Sequence, residues 1–109
     1  MRAIALALPE VEEGTSYGTP AFRVRRKLIA RLREEGVLVV MIDLADKEFL
    51  IKSQPKTYFS MAHYDGYPDV LVRLKAADKK GMTELLSASW RFVAPARLKQ
   101  KNPDRLAAP

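Results

Sequence analysis

The sequence predicts an α+β fold, a largely antiparallel sheet with N- and C-terminal helices packed on one face. Three observations carry this. Residues 15–42 break into short runs in which apolar and polar side chains alternate, the period-two patterning of strands. Met82, Leu85, Leu86, Ser89, Trp90 and Val93 recur at helical spacing near the C-terminal end. The first eight residues are good helix formers halted by Pro9.

In order along the chain, Ile4 and Leu8 lie one turn apart in a helix too short to persist alone, so it must dock on the rest of the fold. Pro9 and the acids Glu10, Glu12 and Glu13 follow at once, without a small-residue cleavage pattern, which favours a docked helix over a signal peptide. Residues 10–14 read as a loop. In the meander, Phe22, Val24, Leu28, Ala30 and Leu32 are assigned to the core, which puts Arg23, Arg25, Arg31 and Arg33 together on the opposite face, with Arg26 and Lys27 at or near the turn. The run VLVVMI, residues 37–42, is a strand buried on both faces or nearly so. Asp43 caps a helix that runs to about Ser53 and is stopped by Pro55. Residues 57–61 return to β character, Asp65-Gly66 reverses the chain, and residues 70–75 form a strand with Arg73 and Lys75 on its outer side. The last helix starts after Asp78, ends near Pro95, and lays its apolar stripe across the sheet. Residues 1–98 are expected to form one domain, and residues 99–109, basic and proline-punctuated, a frayed tail.

Composition narrows the function classes. A chain of 109 residues with 48% hydrophobic content has room for one core. It contains no cysteine and one histidine, so disulfides, cysteine nucleophiles and the usual zinc ligand sets are excluded, and no metal and no cofactor are expected. The longest aliphatic run, residues 37–42, is far short of the roughly 20 residues that cross a bilayer. No membrane partner is expected, and the cytoplasm is the expected compartment.

The net charge of +6 is concentrated: residues 21–33 hold six basic residues and no acid. A local cluster of this kind makes a field that survives screening beyond about 8 to 10 Å. It points to a nucleic-acid partner, with phosphates contacted by Arg23, Arg25, Arg26, Lys27, Arg31 and Arg33, reinforced by Arg73 and Lys75, and with slight sequence preference. The competing view is that these are ordinary solvated strand residues that guard edges against aggregation. A second candidate is the stretch HYDGYP, residues 63–68, where His63, Tyr64 and Tyr67 are a possible ligand or contact loop. Asp65-Gly66 has a turn role, and Pro68 holds Tyr67 extended, so four of its six residues have structural reasons to be there. No serine or cysteine sits in a nucleophile motif for His63 to activate, so no catalytic residue is assigned and no enzyme activity is expected.

The strings EEGTSYGTPAFRV, KLIARL, HYDGYP followed by VLVRL, and the closing W-R-x-x-A-P-x-R-L are similar, in order and spacing, to those of the MmcQ/YjbR family of small bacterial proteins, over about Ala5 to Leu98. The resemblance implies a frataxin-like α/β sandwich, described for the family as a "double-wing" DNA-binding arrangement. By the family pattern, Gly18, Thr19, Pro20, Phe22 and residues 63–68 are its characteristic positions here, clustered around the sheet edge. The chain departs from that pattern in placing Arg25 and Arg26 where members often have a glycine pair and Ala96 where they often have a lysine, and in lacking the extra N-terminal residues that often lengthen the first helix. Frataxin-like iron binding uses an acidic first helix. Here that helix carries Arg2 and no acid before Glu10, so iron is not expected.

Overall fold

A computed structural model describes residues 1–101. Its elements are α1 (Arg2–Leu6), β1 (Val11–Ser16), β2 (Thr19–Val24), β3 (Lys27–Glu34), β4 (Val37–Met41), α2 (Leu44–Ser53), β5 (Tyr58–Phe59), a 3-10 turn (Ala62–Tyr64), β6 (Asp69–Arg73), α3 (Lys79–Val93) and α4 (Ala96–Lys101). The six strands form one sheet in the order β1-β2-β3-β4-β6-β5. Every neighbouring pair is antiparallel. The α+β architecture with helices at both ends of the chain is therefore as the patterning predicts.

The core lies between one sheet face and the helices. α3 packs across β3 and β4, and α1 against α3 and β1. From the sheet come Phe22, Val24, Leu38, Val40, Val70 and Val72; from α3 come Met82, Leu85, Leu86 and Trp90. Asp78 starts α3 by accepting a hydrogen bond from the Gly81 amide at 2.7 Å, a side-chain cap for an otherwise orphaned donor. Trp90 is fully buried and still satisfies its indole N–H, which donates to the Pro9 carbonyl at 2.8 Å and so fixes the turn between α1 and β1. Asp43 caps α2 in the same way as Asp78 caps α3.

Three details differ from the sequence reading. Residues 11–16 are a strand and not part of a loop: Val11 pairs with Val24 at the edge of the core, and Glu12, Glu13 and Gly14 are tolerated because β1 is an edge strand with polar sides. A bulge opposite Phe22/Arg23 inserts one residue into β3, so Ile29 and Ala30 are both buried and Leu28 is turned toward Arg23 on the other face. A second bulge falls at Arg33, between the Leu32–Leu38 and Glu34–Val37 pairs. Residues 99–101 continue the last turn of α4. The rest of the expected tail, residues 102–109, lies outside the described residues.

Candidate nucleic-acid interface

The sheet face away from the helices is built from the alternate set of side chains. A transverse row runs Gly14, Ala21, Arg31, Val39, Leu71 and Phe59 across all six strands. Ala21, Val39 and Leu71 in this row are buried yet stand apart from the main core. Arg31 sits at the middle of the face, and two tyrosines reach it. The Tyr64 hydroxyl accepts a hydrogen bond from an Arg31 guanidinium N–H at 2.9 Å, and the Tyr17 ring lies 5.7 Å from the guanidinium carbon. At the β5 side, Arg73 stacks 4.0 Å over the Phe59 ring and donates to the Pro55 and Lys56 carbonyls at 3.3 Å.

Arg23 completes the set on β2, beside Glu12 in register but with no ion pair among the described residues. Arg23, Arg31 and Arg73 thus share the open face, and none of them is paired with a carboxylate among the described residues.

The expected continuous array on the β2–β3 hairpin is broken up. Arg25 leaves the face, because the hairpin closes through a two-residue turn in which Arg25 and Arg26 have φ of +48° and +71°. Its guanidinium turns instead to Glu10, with Nε 2.5 Å from a carboxylate oxygen, and this hydrogen bond holds the Glu10 carboxyl below the usual carboxylate range. Arg33, displaced at its bulge, pairs with the neighbouring Glu34. Arg26 and Lys27 remain exposed at the hairpin turn without an ion pair among the described residues. Lys75 lies in the turn after β6, at the end of the sheet opposite that hairpin.

The loop holding residues 63–68 folds back over this face and is anchored by Lys47 of α2, for which the sequence assigns no functional role. Lys47 is the only buried residue of α2, and its ammonium donates to the Tyr64 carbonyl at 2.6 Å and the Tyr67 carbonyl at 3.0 Å. Asp69, also buried, lies 3.6 Å from the same ammonium, which is a charge contact too long for a hydrogen bond. One Asp69 oxygen has no hydrogen-bond partner at all. Burial pushes the Asp69 carboxyl up, against the opposing pull of Lys47 and Arg31. So anchored, the loop presents His63 and Tyr67 to solvent and turns Tyr64 inward to Arg31, with the His63 and Tyr64 rings edge to face at 6.2 Å.

Tyr17 is the other functional candidate missed in the sequence. It is 93% exposed and occupies the left-handed region at φ +53° in the turn between β1 and β2. A bulky residue held in that conformation costs on the order of 1–2 kcal/mol relative to glycine, and here no burial offsets it. The pair Tyr17-Gly18 between two β-like runs was a readable turn signal. For Lys47 the signal was a lysine three and four residues before Leu50 and Ile51, on the inner side of its helix.

Among the described residues there is no group of three or more histidine, cysteine, aspartate or glutamate side chains that could hold a metal ion, and no helix is long and apolar enough to cross a membrane.

Comparison with known proteins matches this chain to the YjbR family model over residues 6–92. The uncharacterized proteins Rv2570 of Mycobacterium tuberculosis and Mb2600 of Mycobacterium bovis are each 39% identical to it over 70 residues, 64% of this chain. The chain spans about half, 47%, of the length of these relatives. Among solved structures, Deinococcus radiodurans protein DR2400, of the DUF419 domain type, superposes with a TM-score of 0.74 and 20% identity over 99% of this chain and 86% of its own, a likeness of fold. With the family pattern matched over most of its length and that fold reproduced, the chain belongs to the YjbR family.

Proposed function

We propose that this protein binds nucleic acid across its open sheet face, with little sequence preference and without catalysing a reaction. One observation carries the reading: Arg23, Arg31 and Arg73 stand on one face with no carboxylate partner among the described residues, interleaved with Tyr17, Tyr64 and Phe59. The guanidinium groups of Arg31 and Arg73, held by a hydroxyl, ring faces and carbonyls and not by an ion pair, stay available to phosphates, and exposed rings offer a stacking platform to unpaired bases. Arg26 and Lys27 extend the cationic surface to the hairpin tip. Arg25 and Arg33, already neutralised by Glu10 and Glu34, take no primary part, and Lys75 is peripheral. The exposed rings of Tyr17 and Tyr67 favour single strands over duplex.

Fluorescence anisotropy with a labelled single-stranded oligonucleotide at ~50 mM salt, where the phosphate contribution is large, tests this. About four phosphate contacts give a log–log salt slope near −2.8, or roughly a 50-fold loss of affinity between 50 and 200 mM salt. The variant Arg23→Gln with Arg26→Gln, at two side chains that make no ion pair among the described residues, weakens binding at ~50 mM salt by about tenfold or more while leaving the thermal midpoint near wild type. No binding at ~50 mM salt overturns the proposal.

A second reading rests on the Lys47 anchor, which holds His63, Tyr64 and Tyr67 as a preformed contact loop for a protein or small molecule. Its small-molecule form is disfavoured because the best-formed clefts lie on the helical side and the loop lines none of them. It makes the opposite mutational demand: His63→Ala and Tyr67→Ala abolish binding and the arginine variants do not.

A further inference from the structure

The sheet ends in two edges of unequal length. At one, β5 is only two residues long, Tyr58–Phe59, too short to template a further strand. At the other, β1 offers six, Val11–Ser16. The hairpin fixes which of its backbone groups are used. β1 and β2 are joined by the two-residue turn Tyr17-Gly18 in an unbroken register, so the pairs Ser16–Thr19, Gly14–Ala21 and Glu12–Arg23 exchange the hydrogen bonds. Pro20, which has no N–H to donate, faces Thr15 at a position that needs none. The N–H and C=O groups of Glu13 and Thr15 therefore point out of the sheet, and they have no backbone partner outside it among the described residues.

Unpaired edge groups are a template for another strand unless the side chains forbid it. Here the side chains forbid most registers and leave one. When two copies of β1 pair antiparallel about a two-fold axis, the outward residues must face one another. An axis through Glu13 sets that carboxylate opposite itself, and an axis through Glu12 does the same to Glu12; like charges directly opposite are destabilising. An axis through Thr15 leaves only residues 14–16 in register. An axis through Gly14 pairs all of residues 12–16, with Glu13 facing Thr15 of the second copy and Glu12 facing Ser16. At the axis, glycine meets glycine at the close spacing of a non-hydrogen-bonded pair, with no Cβ on either strand. The same register completes a charge pair. Arg23 crosses β1 beside Gly14, its Nη1 3.6 Å from where a Cβ would stand, and has no ion pair among the described residues. Glu12 of the second copy comes onto that face diagonally from Gly14, at a spacing long side chains bridge.

We infer that the partner of the β1 edge is a second copy of this chain, joined antiparallel about a two-fold axis at Gly14 so that the two sheets run on as one. Glu13 of one copy and Thr15 of the other exchange backbone hydrogen bonds, and the symmetry repeats the exchange. Both open faces then lie on the same side of the joined sheet. A contact of one strand against one strand is at or below the low end of stable interfaces, so the dimer forms and dissociates with concentration. The inference does not rest on the nucleic-acid reading, because the pairing uses the edge and is measured with no polyanion present.

Sedimentation velocity of the full chain from ~10 µM to ~1 mM at low salt reads the association, and amide hydrogen exchange reads its place. The mass doubles across that range, and the Glu13 and Thr15 amides gain protection with concentration while those of Glu12 and Gly14, already bonded to β2, do not change. Thr15→Pro, at an edge position whose N–H faces outward, removes one donor from each copy and weakens the dimer by about tenfold or more. Ser16→Lys, opposite Glu12 of the second copy, tightens the dimer about threefold, and Ser16→Glu weakens it about threefold. The two Ser16 variants keep the test decisive where the proline variant lowers the thermal midpoint. A monomer at ~1 mM, a dimer whose affinity Ser16→Lys and Ser16→Glu change in the same direction, or concentration-dependent protection that falls outside β1 overturns the inference.

Discussion

Replacing Lys47 with methionine tests how the contact loop is held. Methionine keeps the apolar stem of the side chain and deletes the ammonium, so the change removes two charge-assisted hydrogen bonds, to the Tyr64 and Tyr67 carbonyls, and leaves Asp69 buried without its cation. Each hydrogen bond to a charged group contributes about 1.5–3 kcal/mol, and removing one partner of a buried ion pair costs about 3–5 kcal/mol. These figures overlap, because they count the same ammonium. The two carbonyls belong to a surface loop that water re-solvates, and deletion also relieves the desolvation of the ammonium itself. A net loss of about 3 kcal/mol follows, a large part of the roughly 5–15 kcal/mol that holds a domain together. For a chain of this size that lowers the thermal midpoint by about 12 °C or more. Asp69 supplies an internal check. Its folded-state pKa is already raised, so its charge opposes folding above that pKa and the penalty lifts as pH falls through it. Without Lys47 the penalty grows, so the deficit of Lys47→Met is larger at about pH 7 than at about pH 4, and it shrinks in an Asp69→Asn background. Urea denaturation of the four proteins in that cycle gives all of these quantities. A deficit under about 1 kcal/mol, or one independent of pH and of Asp69, refutes the anchoring of the loop through Lys47.

Three further outcomes follow from particular side chains. Arg26→Gly places glycine where φ is +71°, relieving about 1–2 kcal/mol of left-handed strain against about 0.5–1 kcal/mol of added unfolded-state entropy; the variant gains about 0.5 kcal/mol by urea denaturation while binding oligonucleotide more weakly. The exposed pairs Arg2–Glu13 and Arg25–Glu10 lower the folded pKa of both glutamates through hydrogen bonds from the guanidinium groups, so their contribution is present above the unfolded glutamate pKa and is lost as pH falls through the folded values. Between about pH 6 and about pH 3, Glu13→Gln therefore loses less stability than the wild type, and Asp69→Asn, deprived of a carboxyl whose protonation favours the fold, loses more; circular dichroism melts across that range decide both.

The legible parts of this fold were those that repeat. The stripe on α3 spans several turns, and all of its members but Val93 are buried as the spacing implies. The cap at Asp43 and the stop before Pro55 bound α2 within a residue, because caps and prolines act locally. What escaped is what depends on pairing. The bulge at Ile29 puts Leu28 on the opposite face from Ala30, and a bulge leaves no mark in a run of apolar residues such as Leu28-Ile29-Ala30. For the same reason the four hairpin arginines, evenly alternating on paper, divide between an open face, a left-handed turn and a second bulge. Lys47 was obscured because α2 carries no clear apolar stripe, so little in the local sequence separates its inner face from its outer one, and its burial is dictated by two carbonyls 17 and 20 residues away. Tyr17 reaches Arg31 only because β1 and β3 flank β2, a relation between strands that no local pattern carries.

Polyanion docking on the sheet face opposite the helices is the proposal with most at stake. Amide and side-chain chemical-shift mapping with a short single-stranded oligonucleotide at low salt tests it most directly, because it reports location as well as affinity. The expected shifts are confined to Tyr17, Arg23, Arg26, Lys27, Arg31, Tyr64, Tyr67 and Arg73, all collapsing together when salt is raised. Shifts that instead centre on α3 and α4, or that persist unchanged at high salt, contradict it.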